Sequence, residues 1–183
     1  TLATNNSISG FNITSALNDA IYGADSKNLD VSFCTITNTS TYAIEASSSQ
    51  DASISITNNQ FLNNVNGVFL TLTGTSTIFC SDNTFKDQTS VSSVPLEILA
   101  SNNILGTYIT NNVFDNNTTG SIRFNLDNTT NVDNNIFNNI FTNNGTGSQS
   151  SLGSSVAIIS NETNDSCSIA LRNNTFSGNA SNA

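Results

Sequence analysis

The acidic side chains are the first candidates for chemistry, because pairs of carboxylates carry out much of the acid–base catalysis on polysaccharides. The chain has 13 Asp and Glu residues, and they are scattered singly with no Asp–Asp pair. A glycoside hydrolase needs two carboxylates at a set distance, and a lyase needs a base beside calcium-binding carboxylates. The sequence therefore assigns no catalytic residue, and a polysaccharide-active enzyme is kept as the alternative function.

Nucleophilic and metal chemistry have no better support. Histidine is absent, so the serine-rich runs have no imidazole base to activate a hydroxyl. Cys34, Cys80 and Cys167 lack the close paired spacing of zinc ligands. We predict neither a metal nor a cofactor, and no intrachain disulfide, because the three cysteines fall at different distances from the nearest phenylalanine repeat.

The charge balance excludes two classes of partner. The net charge is −9 and the basic residues number four, namely Lys27, Lys86, Arg123 and Arg172. Binding to nucleic acid or to anionic lipid needs clustered basic side chains. No apolar run approaches the roughly 18 residues of a membrane span. We expect no nucleic-acid partner and no membrane insertion by this segment.

A repeat built on an asparagine pair and a phenylalanine runs along the chain. The clearest copies are 56–61 and 109–114, ITNNQF and ITNNVF, and the spacing is about 25 residues. Between the motifs the apolar residues alternate, which indicates strands. One column of equivalent positions is Ile13, Ile36, Phe61, Phe85, Phe114, Phe141 and Phe176. Phe137 could replace Phe141 in this column, since two registers fit there.

These features predict an all-β chain, a single-stranded right-handed parallel β-helix of about seven coils. Residues 1–183 are interpreted as one domain and as a fragment of a longer protein. The column of apolar residues is expected to point inward and to be buried. Asparagines that precede the column are expected to stack as a hydrogen-bonded ladder at a tight corner. Its members are Asn59, Asn83, Asn112, Asn139 and Asn174.

Two charged residues are expected to meet on the outside of the rod. Leu96-Glu97-Ile98 and Ile122-Arg123-Phe124 share one pattern, apolar, charged, apolar, at similar distances after their coil's phenylalanine. In-register neighbours lie about 5 Å apart, which allows opposite charges to pair. Glu97 and Arg123 are thus predicted to form a surface salt bridge, with Arg123 as a ligand contact in the functional interpretation.

A second signature, FxxN, follows the column and carries a family resemblance. It occurs at Phe61–Asn64, Phe114–Asn117, Phe141–Asn144 and Phe176–Asn179, whereas Gln88 breaks it after Phe85. The pattern resembles the FxxN repeats of polymorphic outer-membrane proteins, which are autotransporter passengers, although their GGA(I/L/V) motif is missing here. The resemblance implies a passenger on the bacterial cell surface, anchored through a part not in this chain. Such a passenger acts as an adhesin or spacer, and its partner would be a host-cell surface protein or glycan.

Overall fold

The chain forms a solenoid of short parallel strands. The computed structural model describes residues 5–101, 105–127, 132–146, 155–160 and 167–180. These residues contain twenty β-strands and no helix. The strands of successive coils stack into three parallel sheets, which we call A, B and C. Six coils reach all three sheets, and a seventh adds strands to A and B. The predicted all-β parallel solenoid is confirmed, with one fewer complete coil than expected.

The sheets run the length of the rod, and their strands stack in the order of the coils. Sheet A contains β1 (Asn5–Ser9), β4 (Asn28–Ser32), β7 (Ala52–Thr57), β10 (Ser76–Ser81), β13 (Leu105–Thr110), β16 (Val132–Phe137) and β19 (Cys167–Arg172). Sheet B contains β2 (Asn12–Thr14), β5 (Thr35–Thr37), β8 (Gln60–Leu62), β11 (Thr84–Lys86), β14 (Val113–Asp115), β17 (Ile140–Thr142) and β20 (Thr175–Ser177). Sheet C contains β3 (Ile21–Gly23), β6 (Tyr42–Ser48), β9 (Asn66–Leu72), β12 (Leu96–Ser101), β15 (Ile122–Asp127) and β18 (Val156–Ser160).

The core is a set of apolar columns, because alternate residues of a strand point to opposite faces. In β7, Ile54 and Ile56 are buried while Ser53 points outward. Parallel in-register pairing then places equivalent residues of successive coils over one another, so that Ile54 lies over Ile78 of the next coil. The outward residues of the same strands form columns of their own, and any surface site must be built from those.

Two tight corners bend each coil, and each corner has one residue in the left-handed region. The φ angle of Asn58 is 57° at the corner between sheets A and B, and that of Asn63 is 55° at the corner between B and C. Asn, Asp and Gly tolerate this region better than other residues. The equivalent A–B residues are Gly10, Phe33, Asn58, Asp82, Asn111, Asn138 and Asn173. The first asparagine of each pair therefore makes the bend, and the second is available for the ladder.

Candidate functional site on the outer face of sheet C

The predicted inward column is in register throughout sheet B. Ring centroids of successive phenylalanines lie 4.7 to 5.1 Å apart, in stacked geometry. The pairing joins Ile13, Ile36, Phe61, Phe85, Phe114, Phe141 and Phe176. The two end members correct the expectation of burial: Ile13 is partly buried and Phe176 is half exposed. Each has a coil on only one side within the described residues, so one face is uncovered.

The choice between the two registers is resolved in favour of Phe141. Its side chain is fully buried, and its ring stacks between those of Phe114 and Phe176. Phe137 is the last residue of β16 in sheet A and is partly exposed. The Arg172 guanidinium carbon lies 5.5 Å from its ring centroid, a cation–π contact.

The asparagine ladder joins the five predicted residues on the inner side of the A–B corner. The Asn83 backbone N–H and its Nδ2 both donate to Asn112 Oδ1, each at 3.0 Å. Its Nδ2 also donates to the Ile56 carbonyl, at 2.8 Å. The same links connect Asn59, Asn83, Asn112, Asn139 and Asn174. The ladder satisfies buried backbone groups at the bend and is therefore structural.

A second ladder was missed, although the FxxN signature marks it. At the B–C corner the Asn117 N–H and Nδ2 donate to Asn144 Oδ1, at 3.1 and 2.7 Å. Its Nδ2 also donates to the Phe85 carbonyl of the preceding coil, at 3.1 Å. We call this set the FxxN ladder, and its members are Asn64, Gln88, Asn117, Asn144 and Asn179. The asparagine of FxxN thus closes the corner that follows each core phenylalanine.

Glu97 and Arg123 lie side by side on the outer face of sheet C, as their shared pattern predicts, and form an ion pair. Their side chains are only 7% and 12% exposed, which corrects the expectation of a solvent-exposed bridge. The reason is the connection between β11 and β12, which folds over them. From this connection Ser93 Oγ donates to Glu97 Oε2 at 2.9 Å. From β15, Asn125 Nδ2 donates to Glu97 Oε1 at 2.8 Å. Arg123 is therefore held inside the protein and is poorly placed to contact a ligand.

These two residues end a column of larger side chains on sheet C. In-register pairing places Tyr22, Glu45, Phe69, Glu97 and Arg123 one above another across five coils. We call these five residues the outer column. Sequence reasoning did not find it, because the alignment depends on the register of β3, β6 and β9. The outer column is notable on a chain whose composition is dominated by Asn, Ser and Thr.

An acidic pocket lies at the first two coils of the outer column. It is open, has a volume of about 440 Å³, and is lined by Asn18, Asp19, Tyr22, Thr41, Tyr42 and Glu45. Asp19 Oδ1 accepts hydrogen bonds from Thr41 Oγ1 at 2.6 Å and from the Tyr42 N–H at 3.1 Å. Desolvation, a hydrogen bond to Asp19 and the charge of Asp19 raise the pKa of Glu45. The fold thus pairs two carboxylates that the sequence separates by 26 positions.

The rings of Tyr22 and Tyr42 line this pocket. Tyr22 is half exposed, and Tyr42 stacks on Phe69 with 5.1 Å between ring centroids. Burial, followed by the charge of Glu97, raises the pKa of Tyr42, so its phenol stays protonated and able to donate. Tyrosine rings beside two carboxylates suit a ligand with a cationic group, through cation–π and ionic contacts.

The remaining chemical groups of the described residues are dispersed. Within the described residues, no group of three His, Cys, Asp or Glu side chains is placed to hold a metal ion. Cys34 and Cys80 are buried thiols and Cys167 is an exposed one. Burial raises the pKa of Cys80 to about 12. None of the described segments is a helix long and apolar enough to cross a membrane.

Comparisons with other proteins agree with this architecture. Searches among curated proteins and among solved structures found no match. A family model described as "Right handed beta helix region" matches residues 1–164. Since this match includes six of the seven stacked coils, the chain belongs to the right-handed β-helix family.

Proposed function

We propose that this chain is a passenger domain displayed on a bacterial surface, where it acts as an adhesin for a host-cell surface protein. The single observation that carries the proposal is the outer column with its acidic pocket. A solenoid needs its inward columns and its ladders in order to fold. It does not need Tyr22 or Glu45 on its exterior, so folding alone does not account for them.

The chemistry of the pocket favours a basic segment of the partner. Asp19 and Glu45 offer acceptor oxygens, and the Tyr22 ring offers a face for a Lys or Arg side chain. The net charge of −9 would speed the approach of a positively charged surface. The FxxN ladder supports the passenger assignment, because it gives a structural role to the motif on which the resemblance rests.

Binding of purified, labelled protein to cultured host cells tests the proposal. We expect Glu45→Gln and Tyr22→Ala each to reduce binding at least fivefold, and added salt to weaken binding by the parent. Asp51→Asn is the matched control, since it removes one negative charge from the turn before β7, away from the pocket. Equal binding by Glu45→Gln and the parent, or no binding by the parent, would contradict the proposal.

A polysaccharide-active enzyme is the second candidate, and the placement of Asp19 and Glu45 in one pocket is the observation that favours it. Burial and Asp19 raise the pKa of Glu45, and a carboxyl with a raised pKa suits a general acid. Release of reducing ends or unsaturated products from a polysaccharide panel, abolished by Asp19→Asn, would support this reading. Activity that Asp19→Asn leaves unchanged would refute it.

A further inference from the structure

We propose that the outer face of sheet A carries a second binding site, for a neutral oligosaccharide, centred on the exposed rings of Phe79 and Tyr108. This face differs from the acidic pocket in position and in chemistry. The site does not depend on whether the pocket binds a host protein.

The two rings form an aromatic platform that the fold does not require. Phe79 and Tyr108 pair in register between β10 and β13. Their centroids are 5.1 Å apart with 12° between the planes, and they are 43% and 42% exposed. The inward neighbours Ile78, Cys80 and Ile109 fill the core on the opposite face. Replacing either ring should therefore leave the core intact.

A shallow shelf lies on the amino-terminal side of the platform. In the same outer register the preceding coils carry small side chains, Ser55, Asp30 and Ser7. The surface therefore steps up from Ser55 to a phenyl ring at Phe79. The shelf is a depression of about 310 Å³ lined by Asn5, Asn6, Ser7, Asn28, Leu29, Asp30, Ser53 and Ser55. From Ser7 to Ser55 it spans two coil steps, about 10 Å, and Phe79 lies one step further along.

The step exposes one face of the Phe79 ring above a surface of hydrogen-bonding groups. A pyranose ring has apolar C–H faces and a rim of hydroxyls. It could rest on Ser55 with one face against Phe79, while its hydroxyls meet the polar side chains of the shelf. Asp30 accepts a hydrogen bond from Ser7 Oγ through Oδ2, at 3.1 Å, and a carboxylate can accept several more.

Charge narrows the ligand class further. Asp30 is the single charged side chain among the residues that line the shelf, so an anionic ligand would be repelled. An apolar protein partner would need a contiguous apolar patch, whereas the two rings here are bordered by Ser55, Thr77 and Asn135. A neutral, hydroxyl-rich ligand matches both the rings and their surroundings.

The test is isothermal titration of the purified chain with chitotetraose, cellotetraose and mannotetraose. We expect binding of at least one of them, weakened at least tenfold by Phe79→Ala and by Tyr108→Ala. Phe79→Trp keeps an aromatic face and should retain binding. Val91→Ala, which removes an apolar side chain that is 58% exposed in the connection between β11 and β12, is the control and should bind as the parent does.

Circular dichroism of each variant shows whether the solenoid is intact. No binding of the three oligosaccharides by the parent would overturn the proposal, as would parent-like binding by Phe79→Ala. Oligosaccharide binding that survives Glu45→Gln, while cell binding is lost, would show that the two sites are separate.

Discussion

Replacing Gln88 with asparagine should stabilise the solenoid, because Gln88 interrupts the FxxN ladder. Its longer side chain reaches the Phe61 carbonyl through Nε2 at 2.8 Å, as the asparagines do. Its Oε1, however, is buried without a hydrogen-bond partner in the described part of the chain. At the equivalent place Asn144 Oδ1 accepts two bonds from Asn117. The hydrogen bonds that join Asn117 to Asn144 therefore have no counterpart between Asn64 and Gln88.

The size of the effect follows from the bonds that the ladder geometry would add. The introduced Oδ1 should accept the Asn64 N–H and Nδ2, and the introduced Nδ2 should reach Asn117 Oδ1. The bond from Gln88 Nε2 to the Lys86 carbonyl, at 2.9 Å, is lost in exchange. Two net hydrogen bonds at about 1 kcal/mol each, less about 0.8 kcal/mol for a buried methylene, leave about 1 kcal/mol of stabilisation. For a domain of this size that raises Tm by roughly 2–4 °C.

Urea and thermal unfolding of Gln88→Asn measure this gain directly. Gln60→Asn is the matched control, because it makes the same change on an exposed side chain of β8 and should be neutral. The reverse substitution, Asn117→Gln, should reproduce the defect and cost a similar amount. If Gln88→Asn is no more stable than the parent while Asn117→Gln is harmless, the ladder contributes nothing and the reasoning fails.

Three further predictions concern strain, the buried ion pair and pH. Phe33 is 66% exposed and has a φ of 54°, a backbone conformation that asparagine tolerates better than phenylalanine. Phe33→Asn should therefore raise the free energy of unfolding in urea by about 1 kcal/mol. An equal gain in Phe33→Ala would show that backbone strain is not the cause. Arg123→Ala should cost about 3 kcal/mol of unfolding free energy, because it leaves the buried Glu97 without a counter-charge. Replacing the exposed Lys27 with alanine should be neutral, and equal melting temperatures of the two variants would refute the burial argument. The folded chain holds the Glu45 proton more tightly than the unfolded chain, so stability falls as pH rises from the ordinary pKa of 4.5 through the raised value. Glu45→Gln should thus raise Tm at neutral pH and little below pH 4.5, and a gain independent of pH would disprove it.

The repeat was predictable because parallel stacking returns each position to the same environment once per coil. Phe61, Phe85 and Phe114 occupy equivalent places in the sequence, and their rings stack in the core. The asparagines Asn83 and Asn112 follow the same logic at the corner. In each case one local motif and one period are enough, since every neighbour in the stack is another copy of the motif.

The exterior did not follow from the repeat, because outward positions vary from coil to coil and connections differ in length. Glu97 and Arg123 could be paired from their shared pattern, but their burial depends on how the connection carrying Ser93 folds over them. Asp19 and Glu45 meet because Asp19, before β3, is drawn against β6 of the next coil, where it accepts the Tyr42 N–H. The sequence by itself determined the coil, its core column and its ladders, since these depend on the period alone. Only the tertiary structure decided which side chains share the outer faces, because that depends on strand register and on the path of each connection.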